Sequence, residues 1–229
     1  MDFDSFDLLQ GLKNLGYPRE LRDPLWWPNS GTFEIVLGAI LTQNTKWQNV
    51  EKALQNLRAS NACSLGAIVE MDAKSLATLV KPSGFYNTKT KYIKLLCKNI
   101  DSEFGSFEAF QENVSREWLL EQKGIGEESA DDILCYGCHR EEMVADAYSH
   151  RLLVALGIEL ENYEEVKSFL ARGLRDNEEK VLALYGDKED MSLAMVFAWF
   201  HGQIVEYCGS HSNKKVVDVS DLQEAMRAL

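Results

Sequence analysis

Apolar side chains recur at helical spacing along almost the whole chain: Phe6, Leu9, Leu12 and Leu15; Val50, Leu54 and Leu57; Leu76, Leu79 and Val80; Leu193, Val196, Phe197 and Phe200. Steps of three and four place such residues on one face of an α-helix, and the alternation that marks a half-buried strand is rare, so the pattern predicts an all-α protein of about ten helices. Start signals agree. Thr45-Lys-Trp-Gln48, Asn162-Tyr-Glu-Glu165 and Ser220-Asp-Leu-Gln223 each set a capping residue three positions before Glu or Gln. Gly105, Gly137, Gly157, Gly186 and Gly209 are expected to close helices. No linker rich in Pro, Gly or Ser and no repeat interrupts the chain. Two helical lobes are expected, one over about 33–118 and the other from 1–32 together with 119–229.

The 229 residues include 36 acidic and 24 basic side chains, a formal net charge of −12, and 45% are hydrophobic. These fractions belong to a globular chain and exclude disordered and low-complexity classes. No run approaches the roughly 20 apolar residues of a membrane helix, and the first ten residues lack the apolar core of a signal peptide. A soluble, cytoplasmic protein with no membrane partner is expected. The five cysteines are scattered and odd in number, which fits a reducing compartment. Cys135-Tyr-Gly-Cys138 has only Cys208 as a further thiol downstream, a poor set for zinc or an iron-sulfur cluster, and the thiols read as helix packing.

A uniformly acidic surface repels phosphates, so the distribution of charge matters more than its sum. Between Ala73 and Ile100 there is no Asp or Glu but there are six lysines, Lys74, Lys81, Lys89, Lys91, Lys94 and Lys98, interleaved with Phe85, Tyr86 and Tyr92. A face that binds a nucleic-acid backbone needs such a stretch, and a solvated lysine-rich helix face is the alternative. From Asp101 to Asp146 the balance reverses, with thirteen acidic residues against three basic ones.

Within that acidic stretch a helix runs into Gly124-Ile125-Gly126 and a new helix begins at once. Two glycines allow a tight turn with outward-facing amides, and the helix N-terminus adds partial positive charge. That combination binds a phosphate without side-chain charge. A plain helix–turn–helix connection would use the same glycines. Downstream, in Met143-Val-Ala-Asp146-Ala-Tyr-Ser-His-Arg151, Asp146 precedes a helical stretch and reads either as its N-cap or as a catalytic carboxylate.

Together these segments resemble the helix-hairpin-helix superfamily of base-excision DNA glycosylases, most nearly the bacterial 3-methyladenine DNA glycosylase III group and more distantly endonuclease III. The likeness spans about Phe6 to Tyr207. It implies two lobes with the active site in the cleft between them, and it assigns catalysis to Asp146. The stretch Leu37-Gly-Ala-Ile-Leu-Thr-Gln43-Asn-Thr45 is similar to the family's helix and turn whose glutamine wedges into the duplex, which implies that role for Gln43. Gly84-Phe-Tyr-Asn-Thr-Lys-Thr-Lys91 is similar to its second probing loop. DNA contacts are therefore implied for Phe85, Tyr86, Asn87 and Lys89, and for Gly124, Ile125, Gly126 and Ser129 of the hairpin.

Departures from the family pattern refine the expectation. Lyase members carry a nucleophilic lysine two residues past the second hairpin glycine. Glu128 stands there, 18 residues before Asp146. A carboxylate cannot form a Schiff base with the sugar, so the expected product is an intact abasic site. Relatives with an iron-sulfur cluster hold it by four cysteines near the C-terminus, where this chain has Cys208 alone; no cluster is expected and no cofactor is required. The resemblance also implies a sodium or potassium ion on the backbone carbonyls of Leu120, Gln122 and Ile125.

A purine alkylated at N3 or N7, such as 3-methyladenine, carries positive charge and leaves readily. Its capture calls for aromatic faces, each worth about 0.5–2 kcal/mol by stacking and cation–π attraction. Trp26, Trp27 and Trp47 supply such faces. The resemblance puts Trp27 and Trp47 on the base pocket, with Trp26 leaning towards the core, and Glu128 and Gln203 are further pocket candidates. His201 reads as structural. Asp146 would stabilise the oxocarbenium-like sugar and orient or deprotonate water. The expectation is a monomeric bacterial glycosylase acting on double-stranded DNA with alkylated bases. A glycosylase for another lesion and a non-catalytic DNA-binding module are the alternatives; a pure backbone clamp has no need of a carboxylate at Asp146.

Overall fold

The computed structural model describes residues 3–19, 25–186, 191–214 and 216–229. In chain order its helices are α1 (Ser5–Asn14), α2 (Glu34–Leu41), α3 (Trp47–Ala59), α4 (Leu65–Glu70), α5 (Ala73–Val80), α6 (Tyr86–Phe104), α7 (Phe107–Asn113), α8 (Arg116–Leu120), α9 (Glu127–Asp132), α10 (Ala147–Ala155), α11 (Tyr163–Asp176), α12 (Glu178–Ala183), α13 (Leu193–His211) and α14 (Ser220–Arg227). The fold is all-α, as the spacing predicts. Several helices are a turn or two long, which periodicity cannot separate, so more than ten result. Among the described residues the one strand pair is β1 (Ser212–Asn213) antiparallel to β2 (Val216–Val217), in the register Ser212 to Val217. No helix of the described residues is long and apolar enough to cross a membrane.

The chain divides into two compact units, 29–138 and 1–28 with 139–229. In the first, α2 is apolar around its whole circumference and every residue of it is buried, which marks it as the central helix. Its one charge, Glu34, is met by Arg58 at 3.2 Å and by the Asn29 amide at 2.7 Å. The hairpin helices belong to this unit rather than to the segment that carries Asp146, so the boundary lies at 138 and not at 118 as expected. The reason is packing: Ile125, Ala130, Ile133 and Leu134 share a core with Leu37, Ile40 and Ile93. Arg116 also joins α8 to α9, donating to both carboxylate oxygens of fully buried Asp131 at 2.7 and 3.2 Å.

The second unit is built around α13, whose residues Val196–Ile204 are all buried. Leu152 and Leu153 of α10, Leu170 and Leu174 of α11, and Leu8, Leu9 and Leu12 of α1 share its core. Asn162 caps α11, accepting the Glu165 N–H at 3.0 Å. Two expected caps move by one residue. Lys46 precedes α3 without a side-chain bond, because the turn through Asn44, at φ 53°, closes from the Thr45 N–H to the Thr42 carbonyl. Ser220 is the first residue of α14, and its N–H and hydroxyl donate to Asp218. Gly209 lies inside α13 instead of ending it, and Gly137 closes the π-helical turn Ile133–Gly137.

Candidate functional site

The hairpin of the 29–138 unit is shaped by Gly124. Its φ is +90°, and a Cβ there would lie 2.2 Å from the Tyr92 ring, so no side chain fits. The next residue, Ile125, turns into the core and donates its N–H to the Gln122 carbonyl at 3.1 Å. Gly126 is the N-cap of α9 and has open space around its Cα. Among the described residues, the N–H groups of Gly124 and Gly126 make no hydrogen bond. Two unspent amides at a helix start suit an anionic oxygen.

Gln43 is folded back onto this hairpin. Its amide donates to the Gly124 carbonyl at 2.9 Å and to Ser129 Oγ at 3.0 Å, and Ser129 Oγ donates to the Ala39 carbonyl at 3.2 Å. Ser129 is buried and acts as a tie between α2 and α9, not as a surface contact. Gln43 thus fixes the spacing of its own turn from the hairpin.

The second loop presents Phe85. This residue is 72% exposed and left-handed, at φ 45°, an uncommon conformation for an aromatic side chain and one that favours a functional reading. Asn87 beside it is exposed and Tyr86 is half-buried. Lys89 departs from expectation. It is 3% exposed, and its Nζ donates to the Leu41 and Ser83 carbonyls, both at 2.8 Å. Burial pushes its pKa down to about 8. Lys89 therefore joins the end of α2, just before Gln43, to the start of the Phe85 loop. Replacing it by methionine keeps the stem and orphans two carbonyls, at an expected cost of about 2 kcal/mol in urea unfolding. Between about pH 8 and the unfolded value near 10.5, the unfolded chain binds the extra proton. Wild-type stability is expected to rise with pH across that window, and Lys89→Met to lose the rise.

In the other unit Asp146 is the N-cap of α10. Its Oδ1 accepts the Tyr148 and Ser149 N–H groups, both at 2.9 Å, and Ser149 Oγ at 3.2 Å. The second oxygen, Oδ2, stands 3.8 Å from His201 Nε2 on α13. Burial alone would raise this carboxyl, but the His201 imidazole and the Ser149 donors outweigh it and hold the pKa below the ordinary aspartate value. Capping and a charged, fixed carboxylate are both present at this residue.

Trp26 lies edge-on to His201, with ring centroids 5.7 Å apart, and its indole N–H donates to Glu206 Oε1 at 2.7 Å. It sits directly on Gly202, where a Cβ would fall 2.2 Å from the ring. Trp26 is half-buried and keeps exposed surface beside His201, whereas Trp27 is 6% exposed. Trp47, half-buried at the first position of α3, lies in the other unit. Gln203 is fully buried, and its amide donates to the Tyr17 carbonyl at 2.8 Å, which makes it a tie for the chain ahead of Trp26. Glu128 is exposed in the first turn of α9. Cys208 donates weakly to the Tyr148 carbonyl at 3.7 Å; burial first, and Asp146 second, push its thiol up to about 12. Cys135 is buried, and Cys138 packs against the core that holds Ile133 and Leu134. Among the described residues no three His, Cys, Asp or Glu side chains group as metal ligands.

His201 is the residue that sequence reasoning undervalued. It is 55 positions from Asp146, and only the packing of α10 on α13 brings the two together. No local spacing signals that contact.

The family model described as HhH-GPD superfamily base excision DNA repair protein matches residues 37–176. A putative DNA repair glycosylase of Methanocaldococcus jannaschii is 36% identical over 199 residues, 84% of this chain and 83% of that protein. Among solved structures, the H. pylori 3-methyladenine DNA glycosylase bound to 1,N6-ethenoadenine is similar with a TM-score of 0.87 at 46% identity, covering 92% of this chain and 100% of that one. A non-covalent endonuclease III–DNA complex has a TM-score of 0.70 at 13% identity over 99% of this chain and 100% of that one, a likeness of fold.

Proposed function

The chain belongs to the HhH-GPD superfamily of base-excision DNA repair proteins and is a DNA glycosylase of that family, and we propose that it is a monofunctional enzyme that excises alkylated purines, 3-methyladenine foremost, from double-stranded DNA. The observation that carries this reading is Asp146, whose carboxylate is held charged by donors on Oδ1 and by His201 beside Oδ2. Loss of an already cationic base needs little acid assistance. It leaves positive charge on the sugar, which a fixed carboxylate stabilises while orienting or deprotonating the attacking water. The half-buried face of Trp26 beside His201 offers a stacking and cation–π surface for the extruded base. Identity of 46% with a 3-methyladenine glycosylase supports the choice of lesion.

Backbone recognition falls to the amides of Gly124 and Gly126, with Phe85 as the exposed probing side chain and Gln43 bracing its turn against the hairpin. The hairpin carbonyls of Leu120, Gln122 and Ile125 would hold a sodium or potassium ion. They are neutral oxygens, and Gln122, though it accepts the Ile125 N–H, keeps a second lone pair. Such an ion would stiffen the turn. With no quartet of C-terminal cysteines, the enzyme works without an iron-sulfur cluster.

Glu128 at the lyase position supports hydrolysis without strand cleavage. Incubation of the protein with methylated duplex and borohydride is expected to give no covalent adduct, and strand breaks only after alkali. A trapped protein–DNA adduct, or nicking without alkali, would overturn the monofunctional assignment.

A further inference from the structure

The lysine-rich stretch does not form one continuous basic face. Lys89 is buried, and the Lys94 ammonium is spent on the carbonyls of Ile68, Val69 and Met71 at 2.8, 2.8 and 2.7 Å, closing the end of α4. The remaining four, Lys74, Lys81, Lys91 and Lys98, are exposed, make no ion pair among the described residues, and rim a groove of about 1100 Å³ between α5 and α6. Its floor is apolar, made by Val69, Ala73, Ala77 and Leu95. Leu95 is one of the few large apolar side chains left exposed. Thr90 also lines the groove, and its buried hydroxyl has no hydrogen-bond partner. The one acidic residue lining the groove is Asp101, where α6 leaves it. From Asn87 to Asp101 the groove follows α6 for about 20 Å, the length of some four helical turns.

Four unpaired cations around an apolar floor, on a chain of net charge −12, call for an occupant with carboxylates along its edges and apolar side chains between them. A duplex backbone fits less well. Phosphates would gain the lysines but lose water over the apolar surface of Val69, Ala77 and Leu95, a cost that apolar side chains in the same place do not meet. We infer that the α5–α6 groove docks an acidic amphipathic segment of a partner protein, with its apolar stripe on Val69, Ala77 and Leu95 and its carboxylates on the four lysines. The groove thus serves recruitment, apart from the chemistry at Asp146.

The test uses the full-length protein and a fluorescein-labelled helical peptide of about 18 residues, leucine at positions i, i+3, i+4 and i+7 and glutamate elsewhere, followed by anisotropy. Saturable binding is expected, tighter than that of a scrambled peptide of the same composition. Lys74→Glu/Lys91→Glu/Lys98→Glu is expected to weaken it at least about tenfold. Leu95→Asp is expected to weaken the peptide similarly while leaving base release from methylated DNA unchanged. If the triple variant fails to fold, hydrogen-exchange protection of α5 and α6 by the peptide in wild-type protein, lost in Leu95→Asp, decides the matter. Binding no better than the scrambled peptide, or binding insensitive to these substitutions, would overturn the inference. So would a triple variant that weakens an undamaged duplex as much as the peptide, which assigns the groove to DNA.

Discussion

Asp146→Asn is expected to lower the rate of base release from methylated DNA on the order of 10³-fold, while the melting temperature moves by no more than about 2 °C. The two effects separate because the residue has two roles that use different properties. Capping α10 needs an acceptor oxygen for the Tyr148 and Ser149 N–H groups, which asparagine supplies about as well as aspartate. Stabilising a cationic sugar needs the charge, which asparagine lacks. The pH dependence follows from the same environment. The carboxyl of Asp146 sits below its ordinary value, so its ionised form stabilises the fold at and above the unfolded value near 3.9. That contribution is lost as pH falls through the lower folded value. Asp146 is therefore fully ionised across the neutral range, and any acid limb of the rate profile between about pH 5 and 7 belongs to another group. Single-turnover release and urea unfolding of the same preparation would measure both. A variant that keeps half the wild-type rate would remove Asp146 from the chemistry.

The second large effect is expected at the hairpin. Gly124→Ala should cost about 3 kcal/mol in urea unfolding and weaken duplex DNA at least about tenfold. Part of the cost is the left-handed backbone at φ +90°, about 1–2 kcal/mol for any residue with a Cβ. The rest is displacement of the Tyr92 ring, 2.2 Å from the added carbon, and with it the hydrogen bond from Gln43 to the Gly124 carbonyl. Gly126→Ala is the internal control. Its φ is −103° and no atom lies within 4 Å of a Cβ, so the expected cost is under about 1 kcal/mol, the ordinary difference between glycine and alanine at an N-cap. Equal costs at the two glycines would mean that the turn is not shaped as described.

Much of this was legible in the residues themselves because the signals are local. Helical spacing identifies the class of fold, and Gly-x-Gly between two helices marks the hairpin. Asp146, ahead of Ala147 and three residues before Ser149, is an N-cap by composition alone. What stayed hidden depends on contacts distant in sequence. Lys89 and Ser129 look like surface polar residues in a DNA-contacting loop and helix, yet each spends its polar group inside the 29–138 unit. Whether a lysine faces solvent or two carbonyls is decided by where Leu41 lies, 48 positions away. Trp26 and Trp27 are adjacent and chemically identical. Their burial differs only in the folded chain, where Trp26 rests on Gly202 of α13 and Trp27 is almost wholly covered. The lobe boundary was misplaced for a similar reason, since nothing in the spacing of Ile125, Ala130 and Ile133 says which core they enter.

The most direct test of the account is chromatography of the bases freed when the purified protein is incubated with methylated double-stranded DNA. 3-Methyladenine is expected in the supernatant, with the strands intact until alkali is added. Protein that binds the methylated duplex and frees no base would contradict it.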